Sequence, residues 1–302
     1  MPFKTTRRQA LVLGGCGLLS GLAGCGRISS HGGSILSESA DEQTIDLLRY
    51  LPRAYHEGYK PGFEFSVIGP KAAVAAQTEL GAHKTSDILH SGVGEDGWVN
   101  TRDIEQQVTW VDADGFGYAF ETPLDRQEIL RRYQESDLQA SLAGTFNEYT
   151  LIERPGTWDA VGDGVVVKIP TDSRENAERH LDNADTVDSS TMNTNIRTAI
   201  EEFDTRYEFL AAVAGEYDRT LYDSEIRWDG LFHAFSPNSD GDGVTLSTGI
   251  VAESPEAVTK WAQGQSSMRF IDIVHTDPTI SRVGDMVVLT ESGTTDHFKL
   301  YG

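Results

Sequence analysis

Thiol groups are almost absent from this sequence. Its 302 residues include two cysteines, Cys16 and Cys25, and both lie near the N-terminus. From residue 26 onward the chain therefore has no side chain that could form a disulfide, a thiolate metal ligand or a cysteine nucleophile. A chain of this length can bury a hydrophobic core without such crosslinks.

Basic residues, and lysines above all, are also scarce. Lys and Arg number 25 against 47 Asp and Glu, which gives a formal net charge of −22, and only 7 of the 25 are Lys. Phosphate binding needs clustered Lys and Arg, so the composition argues against nucleic acid as a partner. We interpret the acidity as adaptation to a salty solvent, in which carboxylates keep a protein soluble, and not as the mark of a basic ligand.

The sequence signatures of catalysis are missing as well. There is no G-x-S-x-G elbow, no H-E-x-x-H and no P-loop. Gly92, Gly94 and Gly97 have dinucleotide-motif spacing, but they follow no clear strand and open no helix. His83 and His90 are seven residues apart, and a metal site would need a third ligand that nothing specifies. The sequence favours a non-catalytic protein.

The N-terminus carries the most specific pattern in the chain. Arg7 and Arg8 precede an apolar run that closes on Leu22-Ala23-Gly24-Cys25. The arginine pair resembles a twin-arginine export signal, and the closing residues resemble the lipobox of bacterial and archaeal lipoproteins. An uncleaved membrane helix is the alternative, but the run over 10–23 has 14 residues, whereas spanning takes about 20.

The resemblance implies cleavage before Cys25, a lipid on its sulfur, and a location on the extracytoplasmic face of the cytoplasmic membrane. Residues 1–24 contain three basic and no acidic residues, so cleavage would take the net charge from −22 to −25. An acidic, lysine-poor lipoprotein of this kind is similar to uncharacterised surface lipoproteins of haloarchaea. That resemblance implies a membrane partner through the lipid and no particular activity.

We predict four parts along the chain: a signal peptide over 1–24, a Ser- and Gly-rich tether over 25–41, a first α+β unit with an N-terminal extension over 42–190, and a linking helix with a second α+β unit over 191–302. The two units repeat an order of strand, turn, strand, helix and closing strands, and both contain V-G-D-x-V-V, beginning at Val161 and Val283.

This repetition predicts an α+β fold, with antiparallel sheets, helices on one face and a duplicated ββαββ unit. The simpler explanation of the repeated motif is that V-G-D is a common turn before a buried strand. Between the units, residues 195–215 carry apolar side chains at steps of three and four, which predicts one long helix that joins them.

Two acidic turns are the candidate ion sites. Asn238, Asp240 and Asp242 place oxygen ligands at alternate positions, as in the opening of a calcium loop, and Asp112 and Asp114 do so in a shorter form. The twelfth position lacks the required Glu and no helix follows, so an acidic hairpin turn is the simpler interpretation. Ca²⁺ is the one cofactor hypothesis that remains.

Three functional hypotheses follow from these patterns. The first is a non-catalytic surface protein that binds a partner or organises the envelope. The second is a lipoprotein that binds a small molecule or a divalent ion between the two units, near the acidic turns. The third is an extracellular hydrolase without a recognisable motif; Asp163 and Asp285 occupy equivalent hairpin corners, where turn formation also explains them. Trp158 and Trp228 could form a sugar platform, although core packing is the simpler interpretation.

Overall fold

The computed structural model describes residues 44, 46–53, 63–80, 85, 86, 88, 89, 99–111, 115–136, 138–187, 192–213, 220, 221, 224–238, 243–265, 267–270 and 273–293. Strands dominate these ranges. Their bounds are β1 Phe63–Ile68, β2 Gln106–Val111, β3 Phe116–Glu121, β4 Ser141–Phe146, β5 Tyr149–Arg154, β6 Thr157–Val161, β7 Val165–Ile169, β8 Glu208–Val213, β9 Gly230–Pro237, β10 Val244–Val251, β11 Met268–Phe270, β12 Ile273–His275, β13 Thr279–Val283 and β14 Met286–Gly293.

Twelve of these strands form one antiparallel sheet. Its order is β13-β14-β10-β9-β8-β1-β2-β3-β7-β6-β5-β4, and β11 pairs only with β12 in a separate hairpin. Strands β1 and β8, which are neighbours near the middle of this order, come from the two predicted units and pair with Phe65 opposite Ala211. The sheet therefore runs continuously across the predicted boundary at residue 190.

The helices are short. They are α1 Pro70–Ala75, α2 Gln77–Leu80, α3 Arg126–Glu135, α4 Arg174–Thr186, α5 Thr194–Glu202 and α6 Pro255–Gln263, with a 3₁₀ turn at Thr101–Asp103. Four of them begin where a side-chain oxygen accepts a backbone N–H of the first turn, as N-caps do. These caps are Asp125, Ser173, Asn193 and Ser254. Among the described residues, no helix is both long enough and apolar enough to cross a membrane.

Both faces of the sheet are buried. On one face α4 and α5 pack on Phe65, Trp110, Phe209 and Phe232 in the largest core cluster. On the other face three smaller clusters lie under α3, under α1 and α2, and under α6. Successive residues of a strand point to opposite faces, so a strand that is buried on both sides is apolar at nearly every position.

The predicted fold class is wrong. The strands form a single twelve-stranded sheet in a β-rich fold, not an α+β fold of two ββαββ units joined by a long helix. Helices also cover both faces, whereas we predicted them on one.

The predicted long helix over 195–215 ends early. Helix α5 stops at Glu202, and β8 begins at Glu208. Between them the Asp204 carboxylate accepts the backbone N–H of Arg206 at 3.1 Å, a local turn that competes with helix formation. The chain then enters β8, where Phe209 and Ala211 face one core and Ala212 faces another. Burial on both faces therefore overrides the helical spacing of the apolar residues.

Candidate functional site

A cleft of about 370 Å³ lies at one end of the first half of the sheet, and we call it the acidic cleft. Three chain segments line it: the N-terminal helical segment around residues 46–50, the ends of β2 and β3, and the turn between β6 and β7. Its lining residues are Asp46, Arg49, Tyr50, Glu105, Glu121, Thr122, Pro123, Asp163, Gly164 and Val165.

Backbone hydrogen bonds hold these segments together. The N–H of Glu105 donates to the carbonyl of Glu121 at 2.8 Å, and the N–H of Thr122 donates to the carbonyl of Gly164 at 2.9 Å. Gly164 has φ +73°, and a Cβ at this position would lie 3.2 Å from the Thr122 carbonyl oxygen. A glycine is therefore favoured at this corner, where the turn approaches the end of β3.

Four carboxylates line the acidic cleft. Glu105 is paired with Lys71, whereas Asp46, Glu121 and Asp163 form no ion pair within 4.0 Å in the described part of the chain. Burial raises the pKa of Glu121 to about 7, the carboxylates of Asp46 and Glu105 add to the rise, and Arg49 opposes it. The Glu121 side chain of the cleft therefore titrates in the neutral pH range.

One cation, Arg49, faces the same cleft. Its Nη2 donates to the Tyr50 hydroxyl at 2.8 Å, and that hydroxyl lies 2.8 Å from the hydroxyl of Tyr149 on β5. Nε2 of His180, on α4, lies 2.8 Å from the Tyr50 carbonyl oxygen, and the His180 ring stacks on Trp110 with centroids 5.7 Å apart. Contacts with the core of the sheet thus fix Tyr50, and Tyr50 in turn holds Arg49.

A second polar cluster, which we call the histidine network, crosses the other half of the sheet. His233 Nδ1 lies 2.9 Å from Thr248 Oγ1, which lies 2.8 Å from His275 Nε2, and His275 Nδ1 lies 3.3 Å from Glu291 Oε2. The order of hydroxyl, imidazole and carboxylate is that of a hydrolase triad. Thr248 and His275 are both 0% exposed, however, so the hydroxyl has no route to a substrate and the network is structural.

Hydrogen positions in the histidine network follow from its geometry. If His275 Nδ1 carries its hydrogen toward Glu291, Nε2 must accept the hydrogen of the Thr248 hydroxyl, and His233 Nδ1 must then donate to Thr248. Burial lowers the pKa of both imidazoles, so both are neutral near neutral pH. The network links β9, β10 and β14 of the main sheet to the β11–β12 hairpin.

Most of the candidate residues in the sequence lie outside the residues that the structure describes. Asn238 is described: its N–H donates to the Gly243 carbonyl at 2.9 Å, and its Oδ1 accepts the Thr245 hydroxyl. In the part of the chain that is described, no three His, Cys, Asp or Glu side chains converge as a metal site, and the Ca²⁺ hypothesis stays a prediction. Outside the described residues lie Arg7, Arg8, Cys25, Asp112, Asp114, Asp240, Asp242, His83, His90 and the glycines of 92–97.

The two equivalent hairpin aspartates have different surroundings. Asp163 lines the acidic cleft, whereas the Asp285 side chain is 85% exposed and lies 3.5 Å from Arg282. Trp158 and Trp228 are 5% and 8% exposed and pack in two core clusters. They therefore offer no exposed stacking platform.

Sequence reasoning missed most of the acidic cleft. Arg49 lies in a short helical segment before Pro52, and Glu121 is the last residue of a strand that precedes a helix. Glu105 was not singled out. A charged residue at a strand end is common, so no local pattern distinguishes these positions from ordinary surface charges.

No protein-family model matches the chain, and no curated protein matches it. Among solved structures, crystal forms III, IV and I of a protein named TP0453 are similar at a TM-score of 0.45 and 9% identity. The alignments cover 80%, 84% and 80% of this chain and 93%, 96% and 94% of TP0453, respectively.

Proposed function

We propose that this protein is an extracytoplasmic, lipid-anchored binding protein whose acidic cleft takes a small ligand with a positive charge. The observation that carries the proposal is the set of Asp46, Glu121 and Asp163 around one concave site without an ion-paired cation among the described residues. Burial, together with the charges of Asp46 and Glu105, raises the pKa of Glu121. A bound cation would relieve the repulsion between these carboxylates.

The size of the cleft favours an organic cation over a bare metal ion. About 370 Å³ corresponds to roughly a dozen water molecules at about 30 Å³ each. A chelated ion would need several converging oxygens at about 2.0–2.6 Å, and the described residues bring no three such groups together. An ammonium group can instead contact carboxylates singly.

Proton release on binding tests this proposal. A cation beside Glu121 should lower its pKa, so amine binding near pH 7 should release part of a proton, and affinity should increase as pH rises through about 7. Calorimetry with primary amines, in high salt and in buffers of different ionisation enthalpy, measures this release. Glu121→Gln should abolish it, while Glu175→Gln, on an exposed part of α4, should leave it unchanged. If no compound that carries an ammonium group, with or without a carboxylate, binds at any pH, the proposal is refuted.

The proposed location has its own test. Cys25→Ser should release the protein from the membrane into the medium, because the lipid attachment atom is lost. Arg7→Lys combined with Arg8→Lys should retain it in the cytoplasm. Fractionation of cells followed by immunoblotting measures both outcomes. A Cys25→Ser protein that stays bound to membranes would show that the anchor is not at this residue.

A further inference from the structure

We infer, resting on the proposed cleft function, that the ligand is a small zwitterion whose carboxylate binds Arg49 and whose ammonium group meets the cleft carboxylates. Amino acids are the simplest members of this class. The inference rests on one feature of the acidic cleft: it presents both signs of charge without pairing them to each other.

Arg49 differs from the arginines of the described chain that form ion pairs. Arg154 reaches a carboxylate oxygen of Asp159 at 2.9 Å, and Arg174 reaches Glu178 at 2.7 Å. Arg49 forms no ion pair within 4.0 Å in the described part of the chain, although Asp46 and Glu121 line the same cleft. An arginine that faces carboxylates usually pairs with one, because charge-assisted hydrogen bonds are the strong ones.

The neighbours of Arg49 explain why it does not pair. Its Nη2 is hydrogen-bonded to the Tyr50 hydroxyl, and its guanidinium carbon lies 4.9 Å from the Tyr50 ring centroid. Tyr50 is 2% exposed, and Tyr149, which shares its hydroxyl contact, is 1% exposed. If Arg49 swung onto a cleft carboxylate, this hydrogen bond would break, and the buried Tyr50 hydroxyl would keep only Tyr149 as a partner.

A guanidinium group carries five N–H donors, and Tyr50 uses one of them. Those that remain suit the two oxygens of a carboxylate, which a planar guanidinium can bind in parallel. Arg49 is thus a preorganised cation whose hydrogen-bonding capacity is only partly used. Because its position is already fixed, the Arg49 side chain would lose little conformational entropy when a ligand binds.

Charge complementarity then selects the ligand class. A simple cation in the cleft would be attracted by Asp46, Glu121 and Asp163 but repelled by Arg49. A simple anion would be attracted by Arg49 and repelled by the three carboxylates. Only a molecule that carries both charges can pair with Arg49 and with the carboxylates at once. Arg49 repels a simple cation, and the carboxylates repel a simple anion.

The decisive experiment compares matched ligands on the unmutated full-length chain. Calorimetry in high salt would use the free amino acids and the amines formed by their decarboxylation, with γ-aminobutyrate, n-butylamine and n-butyrate as a set of equal length. We expect a zwitterion from this panel to bind at least about tenfold more tightly than its matched amine, since hydrogen bonds to charged groups are among the stronger ones. The matched anion should not bind measurably.

Variants test the role of Arg49 separately. Arg49→Gln should reduce zwitterion affinity to about that of the matched amine. Arg179→Gln, on the exposed face of α4, should leave the affinities for the zwitterion and for the amine unchanged. Tyr149→Phe should weaken zwitterion binding less, and amine binding not at all, because Tyr149 acts only by positioning Arg49 through Tyr50. The ligand comparison needs no variant, so it decides the inference even if Arg49→Gln does not fold.

Two results would overturn the inference. If amines bind as tightly as the zwitterions, Arg49 takes no part and the ligand is a simple cation, although the proposed function then stands. If neither class binds the unmutated chain, the inference and the proposed function fail together.

Discussion

Acidification should destabilise this protein through the buried His233. Burial lowers its pKa from 6.5 to about 3, and the neighbouring His275 adds to the effect. The unfolded chain takes up a proton near pH 6.5, whereas the folded chain does so only near pH 3. The stability that the neutral imidazole contributes is therefore fully present above pH 6.5 and is lost progressively as the pH falls toward 3.

The size of the effect follows from the shift. Each pH unit below 6.5 costs about 1.4 kcal/mol for one such histidine, so His233 alone costs about 2 kcal/mol by pH 5. That is a large fraction of the roughly 5–15 kcal/mol that holds a domain folded. His275 acts in the same direction, because burial lowers its pKa even though Glu291 opposes the change.

Other groups act in the opposite direction, so the unmutated chain alone does not isolate His233. Burial raises the pKa of Glu121 and of Asp159. The folded state therefore gains protons at these carboxyl groups before the unfolded state does. Their contribution to stability rises as the pH falls.

The assay is urea unfolding of the unmutated chain and of His233→Asn at about pH 7.5 and about pH 5. Asparagine keeps an N–H donor for Thr248 but cannot become charged. The pH-induced loss of unfolding free energy should be smaller in the variant by about 2 kcal/mol. Equal losses in the two proteins would refute the reasoning, because they would show that the folded state protonates His233 as readily as the unfolded state does.

Two further predictions concern packing and buried charge. In Gly117→Ala, the new Cβ would lie 2.3 Å from Trp110 Cε2, so we expect a loss of about 1–3 kcal/mol in chemical unfolding. Gly264→Ala, with ordinary contacts and φ −88°, should change stability by less than about 0.5 kcal/mol. Asp159→Ala would remove the carboxylate that lies 2.9 Å from the mostly buried Arg154 guanidinium and should cost about 3–5 kcal/mol in thermal unfolding. A loss below about 1 kcal/mol would show that water reaches this pair.

Several elements were predictable because their signals are local. The alternation of residues 63–68 predicts a strand, and strand β1 has these bounds, Phe63–Ile68. The sequence also predicts a helix that Pro255 opens, and helix α6 begins there, with Ser254 as its cap in the structure. Such signals extend over a few residues and do not depend on what the element later packs against.

Other elements failed because their signals were weak or ambiguous. Residues 146–153 are predicted as one strand, but the chain turns between β4 and β5, where Asn147 has φ +46°. Asparagine tolerates this conformation, but a single asparagine is a weaker turn signal in a sequence than an Asn-Gly pair. The predicted strand over 161–167 is likewise broken by a turn at Gly162 to Gly164, which separates β6 from β7.

The acidic cleft could not be predicted for a different reason. Its residues come from positions near 49, 105, 121 and 163, and only the last was considered in advance. Each is an ordinary charged residue in its own segment. Their chemistry depends on burial and on one another's charge, as the raised pKa of Glu121 shows, and neither property exists before the segments meet.

By itself the sequence determined the absence of thiols after Cys25, the acidic composition, and the bounds of elements with strong caps and breakers. Only the tertiary structure decided that β1 pairs with β8, that both faces of one sheet are covered, and that Arg49 faces three carboxylates without pairing to them. Local propensities act over a few residues of chain. The β1–β8 pairing joins residues more than a hundred positions apart, and there the competition for burial among all the elements selects the arrangement.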